Sequence, residues 1–208
     1  MFKRRRKRSF IENLSDSVYP RGGWLRAASY VWHRLRRLPD PPHKIARGVA
    51  AGIFVSFTPF FGMHFLLAAA LTWILNGNIL AALIATFVGN PITFPFIATV
   101  SIELGAWMLD LPGGMPLPRV FEAFTSASVE IWANVVAMFT DDPVRWGHLR
   151  DFFAEVFLPY LVGGLVPGVV AGVIGYAVTI PAVTAYQNRR RKRLLKRFQK
   201  KIAEDRSG

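Results

Sequence analysis

Short apolar stretches separated by proline, glycine and asparagine dominate the first half of this chain. No Asp, Glu, Lys or Arg occurs from Gly48 to Ile102, a span of 55 residues. Breaks at Pro59 and Gly62, at Asn76-Gly77-Asn78 and at Gly89-Asn90-Pro91 divide it into pieces of roughly 48–57, 61–75, 79–88 and 96–109. As helices these reach about 15–22 Å each, against a hydrocarbon core about 30 Å thick. None crosses alone, so the pieces combine into kinked crossings or turn back as re-entrant hairpins. A further charge-free run of 33 residues covers Val156 to Asn188. The pattern predicts an all-α fold, a polytopic integral membrane bundle with Pro/Gly-broken, partly re-entrant helices.

A faint repeat runs through the first half. AAGIFVSFTPFFG (50–62) and ALIATFVGNPITF (82–94) align at an offset of 32, which matches Pro59 to Pro91. Two amphipathic helices frame the apolar runs. Trp24, Ala28, Val31, Leu35 and Leu38 recur at helical spacing among arginines and predict a basic helix lying on an anionic leaflet. Beyond the loop LPGGMPLP, Glu122, Ser126, Glu130 and Asn134 form a stripe every four residues. That stripe is expected to be the wet face of a helix lying on the membrane or the bundle, with Phe121, Phe124, Ile131, Val135 and Met138 on its other faces. The organisation is a basic cytoplasmic leader (1–43), a membrane domain (44–188) and a basic cytoplasmic tail (189–208). The membrane domain contains broken segments 45–75 and 78–110, the amphipathic region 111–155 and the last apolar segment 156–188.

Charge sharpens this reading. The net charge of +13 and pI near 10.9 first point to nucleic acid, but the distribution does not. Residues 1–47 carry 13 Lys/Arg and residues 189–208 carry 10, whereas the 141 residues between them carry 3. Basic ends bracketing an apolar middle are the pattern of loops flanking membrane spans, with both termini cytoplasmic. The expected partners are the bilayer and its anionic phospholipid headgroups rather than nucleic acid, and a homo-oligomer stays open. The 111–155 region, with 3 Lys/Arg, prefers the outside. The apolar region 48–109 then crosses an odd number of times and 156–188 once. The rival arrangement has two kinked crossings, a cytoplasmic 111–155 and a re-entrant last run.

Irregular backbone at membrane depth must be buried in protein or line a wet cavity. Asn90 and Thr93 can satisfy the second break, and Ser56 and Thr58 the first. Half-helix N-termini after each break suit an anion or phosphate. The candidate substrate-binding residues are therefore Thr58, Pro59, Gly62, His64, Asn90, Pro91, Thr93 and Glu103, the last being the one carboxylate well inside an apolar segment. Each has a plainer reading: the breaks as tips that only shape the bundle, His64 as a hydrogen-bonded core residue, Glu103 as an interfacial acid. Gly48 and Gly52, with Gly164, Gly168 and Gly172, have the four-residue spacing that brings membrane helices into close backbone contact. There is no cysteine, no histidine spacing suited to a metal, and no catalytic motif. Enzyme chemistry, metal and cofactor are not expected.

At ARGVAAGIFVSFTPFFGMH, GNPITFPF and the glycine-rich last run with its basic tail, the chain resembles bacterial domain-of-unknown-function family 2062. The matching positions are Gly48, Gly52, Phe54, Pro59, Gly62, Gly89, Asn90, Pro91, Thr93 and Pro95, within about 40–110 and 155–195. Where that family often has glutamine after the first break, this chain has His64. The resemblance implies a multi-pass protein of the bacterial inner membrane without an established activity. Relatives joined to glycosyltransferase-like domains associate it with envelope or lipid-linked sugar metabolism. The expected function is binding and translocation of a small anionic or lipid-phosphate substrate at the breaks; the alternative is a non-transporting scaffold that recruits an envelope-biogenesis enzyme.

Overall fold

The computed structural model describes residues 26, 29, 33–35, 38–113, 115–140 and 142–207. The leader at 1–23 lies outside the described residues, as does most of the amphipathic helix expected at 24–38. Of that helix's apolar positions, Leu35 and Leu38 are described, and both are buried. Every regular element among the described residues is helical. Contacts divide the chain into two compact units, Pro41–Ile180 and a second formed from Met1–Asp40 with Pro181–Gly208.

The four apolar pieces are four helical segments. α1 (Pro42–Ser56) starts on a proline whose missing N–H costs nothing in a first turn, and it ends at the first break. α2 (His64–Ile74) follows that break. α3 (Ile79–Ala85) tightens into a 3-10 turn, Thr86–Val88, at the second break, and α4 (Phe94–Met108) begins after it with Pro95 in its first turn. α5 (Leu117–Ala137) and α6 (Gly147–Phe152) come next. A π-helical turn, Phe153–Phe157, then leads into α7 (Leu158–Ser207).

The sequence Asn76-Gly77-Asn78 shows how the turn between α2 and α3 is closed. Asn76 takes the left-handed conformation (φ 51°) that asparagine tolerates at a helix C-terminus. Gly77 N–H donates to Thr72 O at 2.8 Å and closes the α2 end. A Cβ on Gly77 would sit 2.9 Å from Gly48 N, so glycine is required by close approach. Asn78 accepts from Ala81 N through its side chain at 2.6 Å, capping α3, and donates its own N–H to Lys44 O at 2.8 Å. The α2–α3 turn is thereby fastened beside the start of α1. The end of α4 repeats the device with Asp110 (φ 54°) and a 2.8 Å bond from Leu111 N to Ala106 O.

Contact order gives the directions. Gly48 packs on Asn78 and Gly52 on Ala82, so α1 and α3 run parallel, with α2 beside both. Gly164 packs on Phe57, Gly168 on Phe54 and Phe57, and Gly172 on Ala50, so α7 runs antiparallel to α1. The His43 ring lies 3.0 Å from Tyr176 Oη, in line with this direction. The main neighbours of α4 are α5 and α7 rather than α3.

Many large apolar side chains face outward, although Ile45, Ile97, Ile102 and Tyr160 are buried. Trp73 (77%), Trp107 (78%) and Phe139 (85%) are among the most exposed residues, while small residues such as Ala68, Ala81, Ala82 and Ala98 fill the interior. Among the described residues, one helical stretch, Gly147–Lys196, is long and apolar enough to cross a membrane by length and composition, and only 22% of its most apolar window is buried.

The expectation for α5 is corrected. Glu130 and Asn134 are buried (8% and 7% exposed), not on a wet face. Glu130 Oε2 accepts from Leu149 N at 2.5 Å, and Asn134 Oδ1 accepts from Arg145 N at 3.0 Å while its Nδ2 donates to Arg145 O. Val129, Ile131, Trp132 and Met138 are exposed instead. Glu130 and Asn134 hold the backbone of Arg145 and Leu149, while Glu122, at the other end of the stripe, is exposed as expected and Ser126 is half-buried.

Candidate functional site

Parallel packing of α1 and α3 sets the two breaks side by side. Ser56 Oγ lies 3.0 Å from Gly52 O and 3.2 Å from Thr86 O, its one hydrogen serving either carbonyl. A Cβ on Gly89 would sit 3.1 Å from Ser56 Cβ. Phe61 of the first break meets Phe94, at the start of α4, with ring centroids 5.1 Å apart, and Phe65 meets Phe87 at 6.1 Å. Phe61 also makes edge contacts with Phe124 and Tyr160, so the breaks are joined to α5 and α7 by aromatic rings.

Each break closes on itself. Thr58, 5% exposed, donates from Oγ1 to Val55 O at 2.7 Å. Pro59 is buried, and Gly62 takes φ +81°, a conformation that favours glycine. His64 Nε2 donates to Thr58 O at 3.2 Å, and its ring packs edge-on against Phe61. At the second break Asn90 Oδ1 accepts from Ile92 N (2.9 Å) and Thr93 N (3.3 Å), and Nδ2 donates to Phe87 O (3.2 Å) and Val88 O (3.4 Å). Thr93 Oγ1 accepts from Asn90 N at 3.1 Å and donates to Val88 O. The full hydrogen-bonding capacity of the Asn90 amide is spent on one turn. Pro91 is exposed at its apex.

The predicted residues thus fall into two places. Thr58, Pro59, Gly62, His64, Asn90, Pro91 and Thr93 gather at the paired breaks. Glu103 is apart from them: it lies about 15 Å along α4 from Thr93, and a Cβ on Gly113 would come 3.0 Å from its carboxylate oxygen. Among the described residues, cavities also lie elsewhere. One of about 850 Å³ is lined by Ser126, Glu130, Asn134, Arg145, His148 and Asp151. Another, about 520 Å³, is lined by Leu38, Gln187, Arg190, Arg191, Leu194 and Leu195.

The five predicted packing glycines, Gly48, Gly52, Gly164, Gly168 and Gly172, all face another helix, and a Cβ would collide with Asn78 O at Gly48, Ala82 O at Gly52 and Phe57 O at Gly164. Sequence reasoning missed Gly105 and Gly163. A Cβ on Gly105 would overlap Pro159 O, and one on Gly163 would overlap Ser101 O. Gly105 stands alone in its helix, without the four-residue spacing that drew notice to the others.

A family model described as an uncharacterized protein conserved in bacteria, DUF2062, matches residues 25–192. The chain belongs to this family. The DUF2062 match runs through the α5–α6 region as well as both breaks, beyond the spans that carry the sequence motifs. No curated protein and no solved structure matches the chain.

Proposed function

We propose that this DUF2062 protein is an integral protein of the bacterial inner membrane that binds an anionic or lipid-phosphate group at the paired breaks and passes it across the bilayer. The observation that carries this reading is the Ser56–Thr86 contact, which brings two interrupted segments together. After each break a helix of more than two turns begins, so two sets of first-turn N–H groups and two positive dipole ends arise in adjacent turns. The side chains of Thr58, Asn90 and Thr93 are occupied by their own turns, so their role is to position backbone. Parallel α1 and α3 with a returning α2 support a topology in which α1–α2 is a half-depth hairpin, α3–α4 one kinked crossing and α7 another. The outward tryptophans and the inward stripe of α5 support lipid as the surroundings, since a water-soluble helix would turn these faces the other way.

The test is flux of a fluorescent lipid-phosphate in proteoliposomes containing the full chain. Gly52→Leu, which forces α1 from α3, should abolish flux; wild-type protein without flux of any anionic lipid or small anion sinks the reading. A second reading, a scaffold for an envelope enzyme, is favoured by the fully engaged Asn90 amide, which leaves its side chain nothing to offer a substrate. Co-purification of a partner with no flux would favour it.

A further inference from the structure

The cavity in the unit formed from Met1–Asp40 and Pro181–Gly208 has a chemistry that the breaks do not use. Its walls on α7 are Gln187, Arg190, Arg191, Leu194 and Leu195, the i, i+3, i+4, i+7, i+8 face of one helix, and Leu38 closes it from the other side. Gln187 Nε2 donates to Asp40 O at 2.9 Å and fixes one end. Arg190 and Arg191 are exposed; Leu194 and Leu195 remain 56% and 52% exposed. The groove is about 12 Å long by helical rise, room for about two turns of another helix.

We infer that this groove docks an acidic amphipathic helix of a partner protein, its carboxylates on Arg190 and Arg191 and its apolar side chains against Leu194, Leu195 and Leu38. Charge complementarity chooses the sign: residues 189–208 hold 10 Lys/Arg against 2 acids. The order of residues chooses peptide over lipid. The arginines lie between the charge-free run and the leucines, so a bilayer phospholipid meeting them would extend its chains toward the run and leave Leu194 and Leu195 unengaged. An amphipathic helix uses both at once. This docking rests on the scaffold reading and gives it a surface.

The test is fluorescence anisotropy of the full chain in zwitterionic nanodiscs with a fluorescein-labelled helical peptide of leucines at helical spacing and glutamates elsewhere. Arg190→Gln/Arg191→Gln should weaken binding about tenfold, at roughly 0.7 kcal/mol per partly exposed pair. Leu194→Ala/Leu195→Ala should weaken it comparably. Arg189→Gln/Lys196→Gln removes the same charge from the opposite face and should cost less than about threefold. Equal losses from the two charge pairs, or indifference to the leucines, overturns the groove as the site. Displacement of the peptide by phosphatidylglycerol in the disc, lost in Arg190→Gln/Arg191→Gln, reassigns it to lipid and also overturns the proposal. Unchanged helicity and size-exclusion behaviour control for folding. The scaffold reading fails separately, if no partner co-purifies with the full chain; partners that all stay after the basic tail is deleted overturn the groove instead.

Discussion

Two regions of the Pro41–Ile180 unit achieve close packing by opposite means. Between α1, α3 and α7 the closest approaches fall at glycine and alanine, beside buried Ile45, Val49 and Val55, and backbone meets backbone there. Between α5 and α6 the buried positions are Glu130 and Asn134, and side chains meet backbone. Both regions turn large apolar residues outward: Ile79 and Ile174 in the first, Trp132 and Phe139 in the second. The first region buries residues small enough for neighbouring backbone to approach, and the second buries side chains that hydrogen-bond neighbouring backbone. An amphipathic stripe names two faces of a helix; which faces outward depends on the solvent.

The contrast breaks most severely at Gly105. Gly105→Leu puts a side chain where Pro159 O stands and should destabilise by about 3 kcal/mol or more, read as loss of monodisperse protein in detergent. Gly147→Ala, at a glycine with open space around it, should be neutral. Next comes the polar interior: Asn134→Leu should cost about 1–3 kcal/mol by stranding the Arg145 backbone, measured by denaturant unfolding in micelles. A neutral result there would restore the stripe as a wet face. Asn90→Ala should cost about 1–2 kcal/mol, since two N–H groups lose their acceptor. Ser56→Ala, which removes the hydroxyl between the breaks, should cost about 1 kcal/mol. The smallest effect is at Trp132→Cys, where stability should hardly change; the thiol should resist an impermeant maleimide and react with a permeant one. Rapid labelling by both reagents would put that face in water.

Much of the first region was legible in the sequence. Proline and glycine marked both breaks, and the polar residues beside them, Asn90, Thr93, Ser56 and Thr58, are the ones that close the turns. Local chemistry wrote those features, so local sequence carries them. The pairing of the breaks was readable only as a faint 32-residue offset, because alanine and glycine specify closeness without naming a partner. Glu103 looked like a site residue for its burial among apolar neighbours, yet its distance along α4 from Thr93 depends on where the helix begins. The α5 face misled at Glu130 and Asn134 for a different reason: periodicity cannot tell a stripe that faces solvent from one that packs on a later segment of the chain.

On the proposed membrane reading, the bond from Asn78 N–H to Lys44 O bears on how the chain would enter a bilayer. α2, with 11 residues, reaches about 16 Å and cannot hold itself across. With the start of α1 and the end of α2 fastened at one level, the α1–α2 pair would be a single insertion unit, delivered and withdrawn together. Any stall in synthesis between Ser56 and Asn78 leaves half a wedge, with no partner for its open turn.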